Sequence, residues 1–357
     1  MFKYVKGALG SILFTNPLNA RLWLTYKCNY ACGMCDIRNI GRGGEMSLEE
    51  LEVVAWNLKR MGASQIILTG GEPLLRSDIV DIVKIFAPHG FVTRIQTNGG
   101  PHATEDLLSK CYDAGLDDIS ISIDTLDAEK QDRICGSKDV LKNAMRVLKF
   151  CKNNYSHKGV VAADIVISAQ NFFELPELME FTNSLGVFFN PCILTRLFSR
   201  PSEHGEKKYV SSFDLTRLNP GDVEEIFRSI EEYIKKDYKI LMSSRMLSDL
   251  KHYVKTGEYR WGCMAGLLSF DIMPSGELSP CCDTIDAAFE KPIANFKYKD
   301  FLTQYRNEEF QKKCEDRRER CPGCLYACYR DPKYLVSDFF VQLEALHKSI
   351  KFRKVFK

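Results

Sequence analysis

Cys28, Cys32 and Cys35 stand in the run CNYACGMC, with three residues and then two between successive thiols. Three thiolates can hold three irons of a cubane and leave the fourth iron open to bind another molecule directly. A structural zinc site normally takes four protein ligands, and no fourth Cys or His lies close by in the sequence. A second run, Gly70-Gly71-Glu72-Pro73, combines two residues that let the backbone approach a ligand with a carboxylate able to accept from an ammonium group. Alone, it would read as a tight turn. Polar residues recur as Gln96-Thr97-Asn98 and as Ser122 and Asp124 in SISID. At the ends of neighbouring strands they would point into one mouth and could hold the hydroxyls and carboxylate of a ligand. The alternatives are a plain turn at Asn98-Gly99 and a helix cap at Asp124.

Seven of the fourteen cysteines fall between Cys263 and Cys328, which marks a second unit. Cys263 is followed after twelve residues by Gly276 and after four more by Cys281, and MPSGEL reads as a hairpin turn between short strands. Cys321, Cys324 and Cys328 follow in CPGCLYAC. A hairpin that brings two thiols beside a CxxC loop can complete a four-thiolate site, for an iron–sulfur cluster or for zinc.

The elements that must position these residues alternate. Strand candidates are Arg21 to Tyr26, Gln65 to Leu68, Phe91 to Gln96, Asp118 to Ile123, Val160 to Ile167 and Val187 to Leu194, with helical patterns between them. Six βα units predict an α/β fold with a parallel sheet, too short for a full eight-stranded barrel, so an open partial (β/α)6 barrel whose active face lies at the strand C-termini. Ser47 followed by Glu50 predicts a capping box ahead of Leu51, Val54 and Leu58, while Gly62, Gly90 and Gly115 set strand edges. The polar stretch from about Thr195 to Asp222, with Arg196, Arg200, His204, Lys207 and Lys208, is either a lid or an ordinary connection. The expected organisation is a barrel over residues 15–240, a small cysteine-rich unit of β-hairpin and helix over 241–335, and a basic amphipathic helix over 336–357. In that helix Phe340, Leu343, Leu346 and Ile350 share a face expected to dock on the barrel rather than on a membrane.

CxxxCxxC after a first strand, joined by GGEP after a second, resembles the signature of the radical S-adenosylmethionine superfamily. The resemblance covers the first half of the chain and implies a 4Fe-4S cluster on Cys28, Cys32 and Cys35, with the amino and carboxylate groups of S-adenosylmethionine on the open iron. It implies that Met34 lies by the adenine and that Gly70, Gly71, Glu72 and Pro73 bind the methionyl amine, with further cofactor contacts from Asn98, Ser122 and Asp124. The second cysteine set resembles the auxiliary-cluster extension of this superfamily, called SPASM with two clusters and Twitch with one. The cysteines after the hairpin are too few for the full two-cluster pattern, so one auxiliary 4Fe-4S cluster is expected on Cys263, Cys281, Cys321 and Cys324, with Cys282, Cys314 and Cys328 in reserve. Cys192, at the end of the sixth strand, is either a packing residue or a hydrogen-atom donor to a substrate radical, as in some radical epimerases.

The net charge of +2, with basic residues spread along the chain, does not favour a nucleic-acid partner. No apolar run reaches the ~20 residues that span a bilayer, and no signal peptide is evident, so a cytoplasmic protein is expected. Reduced thiols there bind metal rather than pair, while Cys111, Cys135 and Cys151 read as small core residues. The family implies an electron donor such as flavodoxin or ferredoxin. About twenty residues precede the first strand, which leaves no room for an N-terminal peptide-recognition domain and tilts the expected substrate toward a small molecule such as a sugar or aminocyclitol, oxidised or epimerised. A peptide- or protein-modifying maturase stands close behind. A molybdopterin-precursor cyclase ranks low because its C-terminal cluster uses three cysteines at another spacing. Outside enzymology, the rival is an iron–sulfur electron carrier or sensor, which needs neither GGEP nor an open iron.

Overall fold

The computed structural model describes residues 3, 10, 16–35, 37, 44–194, 213–219, 221–259, 263–282, 295–305, 307–319 and 323–352. Six parallel strands follow in order, β1 (Asn19–Trp23), β2 (Gln65–Thr69), β3 (Val92–Thr97), β4 (Asp118–Ser122), β5 (Val161–Ile167) and β6 (Phe188–Ile193). Each pairs with the next. A hairpin of β7 (Ser269–Ile272) and β8 (Leu278–Ser279) extends the sheet on the other side of β1, so the order is β6-β5-β4-β3-β2-β1-β7-β8. The architecture is therefore an α/β partial barrel with a C-terminal helical region. The hairpin turn read from MPSGEL is present, and β7 runs parallel to β1, so the second cysteine unit is built onto the barrel sheet itself.

The helices α1 (Leu48–Met61), α2 (Ile79–Phe86), α3 (Glu105–Asp113), α4 (Ala128–Cys135), α5 (Val140–Tyr155) and α6 (Leu175–Leu185) connect the strands and cover the outer face. The capping box forms as expected: Glu50 N–H donates to Ser47 Oγ at 3.3 Å and Ser47 N–H donates to Glu50 Oε2 at 3.0 Å. Alternation along the strands sends Ile119 and Ile121 outward to the helices. It sends the polar positions Arg94, Gln96, Ser120, Ser122, Asp164 and Asn190 into the lumen. Register stacks these in rows, with Gln96 opposite Ser120 and Ser122 opposite Asp164 opposite Asn190.

The first strand ends three residues before its expected limit. Leu24 N–H still bonds Thr69 O at 2.8 Å. Beyond it, Thr25 Oγ1 accepts from Lys27 N–H at 3.0 Å and donates to Glu45 at 2.7 Å, which turns the chain out of the ladder.

After β6 come α7 (Val223–Lys235) and α8 (Ser244–Thr256); after β8 come α9 (Phe301–Tyr305), α10 (Glu308–Glu319), α11 (Ala327–Ser337) and α12 (Phe339–Phe352). Residues 195–212 lie outside the described residues, so the lid reading does too. Among the described residues, no helix is long and apolar enough to cross a membrane. The C-terminal helix corrects the expectation for its docking face. Val341 is buried and Glu344 accepts from Ser244 N–H and Oγ at 3.1 and 2.9 Å, whereas Phe340, Leu343 and Leu346 are exposed. The polar side grips the body because the N-terminus of α8 offers donors that a carboxylate satisfies.

Arg330 of α11 is buried against Asp249 of α8, and Tyr334 Oη donates to the same carboxylate. Removing one partner of a buried pair strands the other. Asp249→Ala is expected to lower stability by about 3–5 kcal/mol, read by urea unfolding.

Candidate active site

The loop carrying Cys28, Cys32 and Cys35 is held from three sides. Toward GGEP, Gly71 N–H donates to Thr25 O and Glu72 N–H to Lys27 O, both at 2.8 Å. A Cβ on Gly70 would meet Thr25 O at 2.5 Å and one on Gly71 would meet Lys27 O at 2.1 Å. Both glycines are thus required by backbone approach, and GGEP is more than a turn. Toward β3, Asn98 Nδ2 donates to Asn29 Oδ1 at 2.8 Å and reaches Cys28 Sγ at 3.8 Å. Its Oδ1 also accepts from Gly100 N–H at 2.8 Å, so the residue makes the turn and ties the loop together. Toward α4, Ala31 N–H and Gly33 N–H donate to Cys135 O and Ile134 O at 3.0 Å.

Tyr30, Ile134, Cys135 and Val140 form a small apolar cluster against which Cys28, Cys32 and Met34 lie half-buried. Cys35 is exposed. Contact with the Cys135 thiol, then burial, pushes Cys32 far above the ordinary thiol range, and burial raises Cys28. Such thiols ionise when a metal takes the proton's place. Cys135 was read as a core residue; its sulfur is buried, but beside Cys32, a neighbour no spacing rule indicates.

The donor set fits a cubane. Three soft ligands sit on one pinned loop, and the buried Tyr30 Oη beside them has no hydrogen-bond partner. Among the described residues, no three Cys, His, Asp or Glu side chains converge around a single point.

Glu72 is buried, with Oε1 accepting from Leu74 N–H at 3.0 Å and Thr97 Oγ1 at 2.8 Å, and Oε2 from Asn98 N–H at 2.8 Å. Burial raises its carboxyl to about 7 against those bonds. One lone pair is left for an ammonium donor. Pro73 opens the short 3-10 turn that Glu72 caps. Asp124, raised to about 6 by burial, accepts from Val166 N–H at 2.8 Å. It is not the cap of α4; Asp127 is, accepting from Lys130 N–H at 2.9 Å. Ser122 is half-buried at the end of β4.

Deeper in the lumen lie residues that motif reading missed. Asp164 accepts from Gln96 Nε2 at 2.7 Å and Asn190 Nδ2 at 2.6 Å, and Arg94 pairs with Asp118 at 3.0 Å. Arg21 forks onto Asp271 at 2.8 and 2.9 Å, with Trp23 Nε1 on the same carboxylate at 2.8 Å. The signal was available as charges inside otherwise apolar strand runs, such as Asp164 in VAADIVI. Cys192 lies on the lumen side of β6, half-buried, its thiol pushed well up by burial and then by Asp164 and Cys328.

In the second cysteine unit, Cys263 Sγ accepts from Ala265 N–H at 3.3 Å. Cys281 is half-buried after β8, Cys324 is buried ahead of α11, and Cys321 lies outside the described residues. Two reserve thiols have other occupations. Cys314 sits in the apolar core, and Cys328 Sγ accepts from Arg21 Nη1 at 2.6 Å. Cys282 N–H donates to Tyr329 Oη at 2.8 Å.

The sequence profile of the Radical SAM superfamily matches residues 24–182. Among curated proteins, the chain is 35% identical over 201 residues to a probable GTP 3′,8-cyclase of Archaeoglobus fulgidus, covering 56% of this chain and 65% of the relative. It is 31% identical over 228 residues to a probable GTP 3′,8-cyclase of Saccharolobus islandicus, covering 62% and 67%. The share of the relative is 54% for the Pyrococcus horikoshii protein, so the chain spans between half and two thirds of several relatives it matches. Among solved structures, SuiB of Streptococcus suis bound to S-adenosylmethionine aligns with TM-score 0.64 at 15% identity, covering 87% of this chain and 71% of that one. The protein anSMEcpe with bound AdoMet and a peptide aligns with TM-score 0.62 at 14% identity, covering 94% and 99%. Those two likenesses speak for the fold.

Gly71→Ala is expected to lower the melting temperature by roughly 5 °C or more and to cut iron and sulfide retained after anaerobic reconstitution. Gly44→Ala, where a Cβ meets nothing within 4 Å, should do neither.

Proposed function

The chain belongs to the radical SAM superfamily, and from that membership we propose an enzyme that abstracts hydrogen from a C–H bond of a small, hydrogen-bond-donating metabolite such as a sugar or aminocyclitol, which it then oxidises or epimerises. When bound, the cluster on Cys28, Cys32 and Cys35 supplies the electron that splits S-adenosylmethionine into methionine and a 5′-deoxyadenosyl radical. In this reading Glu72 receives the methionyl ammonium while its other bonds keep GGEP against the cysteine loop. Met34 offers an apolar surface to the adenine, and Asn98, Ser122 and Asp124 supply polar contacts at the strand ends. The sheet and its helices exclude water from the lumen and fix the substrate C–H bond at near-attack distance, about 3–3.5 Å. The auxiliary thiols Cys263, Cys281, Cys321 and Cys324 would hold a second cluster that takes up the electron of an oxidised substrate.

The observation that carries the substrate reading is the network centred on Asp164. Gln96 and Asn190 each direct one amide N–H at its carboxylate, which points their carbonyl oxygens away from it, where they can accept from a donor. A carboxylate flanked by two carbonyls is satisfied by hydroxyls or an ammonium, not by phosphate. The lumen arginines Arg21 and Arg94 are each matched by a buried aspartate, which leaves little attraction for a polyanion. The curated relatives favour a second reading, cyclisation of a purine nucleotide, a class ranked low on cysteine spacing alone. A peptide maturase rests on fold likeness only.

Anaerobically reconstituted, dithionite-reduced protein should form 5′-deoxyadenosine, detected by mass spectrometry, and Cys32→Ala should form none. Stimulation by a panel of amino sugars and cyclitols supports the proposal, stimulation by GTP replaces it with the cyclase reading, and stimulation by the peptide fraction of an extract replaces it with the maturase. Absence of the nucleoside from cluster-loaded protein would leave the electron-carrier reading. Asp164→Asn should lower the substrate-stimulated rate by about tenfold or more and leave basal cofactor cleavage intact.

The pH dependence follows from Glu72. Its folded carboxyl titrates at about 7, above its unfolded value, so it is neutral below that pH and attracts an ammonium only above it. Affinity for S-adenosylmethionine, measured by calorimetry, should rise as pH climbs through about 7. In Glu72→Gln it should be weaker and lack that step. The same sign makes the ligand-free protein lose stability between the unfolded carboxyl value, about 4.3, and about 7, because ionisation there favours the unfolded chain.

A further inference from the structure

One thiol that belongs to neither cysteine set stands against the first cysteine loop. Cys135 is the buried last residue of α4. Its carbonyl accepts from Ala31 N–H at 3.0 Å, the carbonyl of Ile134 accepts from Gly33 N–H at 3.0 Å, and Cys32 packs on the apolar cluster that contains Cys135. Gly136, in the left-handed region at φ +58°, lets the helix end come this near, since a Cβ there would meet Ala31 O at 2.8 Å. The two sulfurs share a hydrogen bond, which is the leading influence on the Cys32 thiol.

The direction of that bond is set from the other side. Gln131, one turn earlier on α4, is buried, and its Oε1 accepts from the N–H groups of Asp124 and Thr125 at 2.9 and 3.0 Å. Two backbone donors on one oxygen fix which way the amide points. Its Nε2 therefore donates, to Cys135 Sγ at 3.3 Å and toward Asp124 Oδ2 at 3.5 Å. The Cys135 sulfur already accepts from Gln131, so its S–H is what it has to offer a neighbour. A Cys32 bound to iron has lost its proton and can only accept. The proton between the two sulfurs then belongs to Cys135.

We propose that Cys135 is a positioning residue that acts on the cluster through Cys32: its S–H donates to the Cys32 thiolate, and Gln131 holds it in that orientation. Reduction adds negative charge, so a donor to a ligating sulfur stabilises the reduced state more than the oxidised one and raises the reduction potential. The inference rests on the cluster at Cys28, Cys32 and Cys35 and not on the choice of substrate.

The test is a redox titration of the anaerobically reconstituted full-length protein, followed by electron paramagnetic resonance, with iron content and melting temperature measured for each variant. Cys135→Ala should lower the midpoint potential by the equivalent of about a tenfold change in the ratio of reduced to oxidised cluster, ~59 mV for one electron. Cys135→Ser, which keeps a donor, should lie nearer to wild type than to Cys135→Ala. Val140→Ala removes volume from the same apolar cluster but no donor, and should leave the potential where it is. Where Cys135→Ala does not retain iron, Cys135→Val, which fills the space without a donor, is read in its place with the same expectation. An unchanged potential in the loaded donor-free variant, or an equal fall in Val140→Ala, overturns the proposal and leaves the function proposed above standing. Wild-type protein that takes up no cluster overturns both.

Discussion

Three thiols on a loop have no fixed separation until the backbone between them is held. Here the holding is done by peptide groups: Thr25 O, Lys27 O, Ala31 N–H and Gly33 N–H all bond to neighbouring segments. The approach at Gly71 is so close that a single methyl would collide with Lys27 O. Together these bonds tie the loop to the second strand's end and to the end of α4. Glu72 reinforces this by accepting from Leu74 and Asn98 N–H groups on two different segments. The carboxylate is thus a structural bolt as well as a candidate ligand contact, which separates the geometry of the cysteines from whatever they bind.

The same period-two alternation that makes the strands also fills the lumen with charge. Burying Arg94, Asp118, Arg21 and Asp271 is affordable only in pairs, and both pairs form. Asp164 differs: among the described residues it has no ion pair of its own, and burial raises its carboxyl against the help of Asn190, Arg94, Ser120 and Gln96. A polar wall of this kind contributes little to stability compared with an apolar core of equal volume.

Much of this was legible in the sequence. Strands two to six begin and end within about two residues of their expected limits, since β-branched runs between glycine turns leave few alternatives. Ser47 and Glu50 disclosed their helix start because a capping box is local. What remained hidden depended on contacts distant in the chain. Thr25 leaves the ladder for Glu45, and Cys135 meets Cys32 across about a hundred positions. Periodicity identified the apolar stripe of α12 but carries no information on which side the body lies; Glu344 and the start of α8 decided that.

The C-terminal unit is joined to the barrel at Arg21 rather than merely following it. Arg21 sits on the first strand, yet its guanidinium is completed by Asp271 of β7, Cys328 and Tyr329 of α11. Tyr329 in turn bonds the backbone of Cys282 next to β8. Burial opposes the charge on Arg21, but Asp271 above all, with Cys328 and Cys282 nearby, outweighs it and holds Arg21 cationic. One buried cation therefore organises the hairpin, the last cysteine of CPGCLYAC and the floor of the lumen. These bonds tie the second cysteine unit to the floor of the lumen, and a cysteine spacing pattern cannot reveal them.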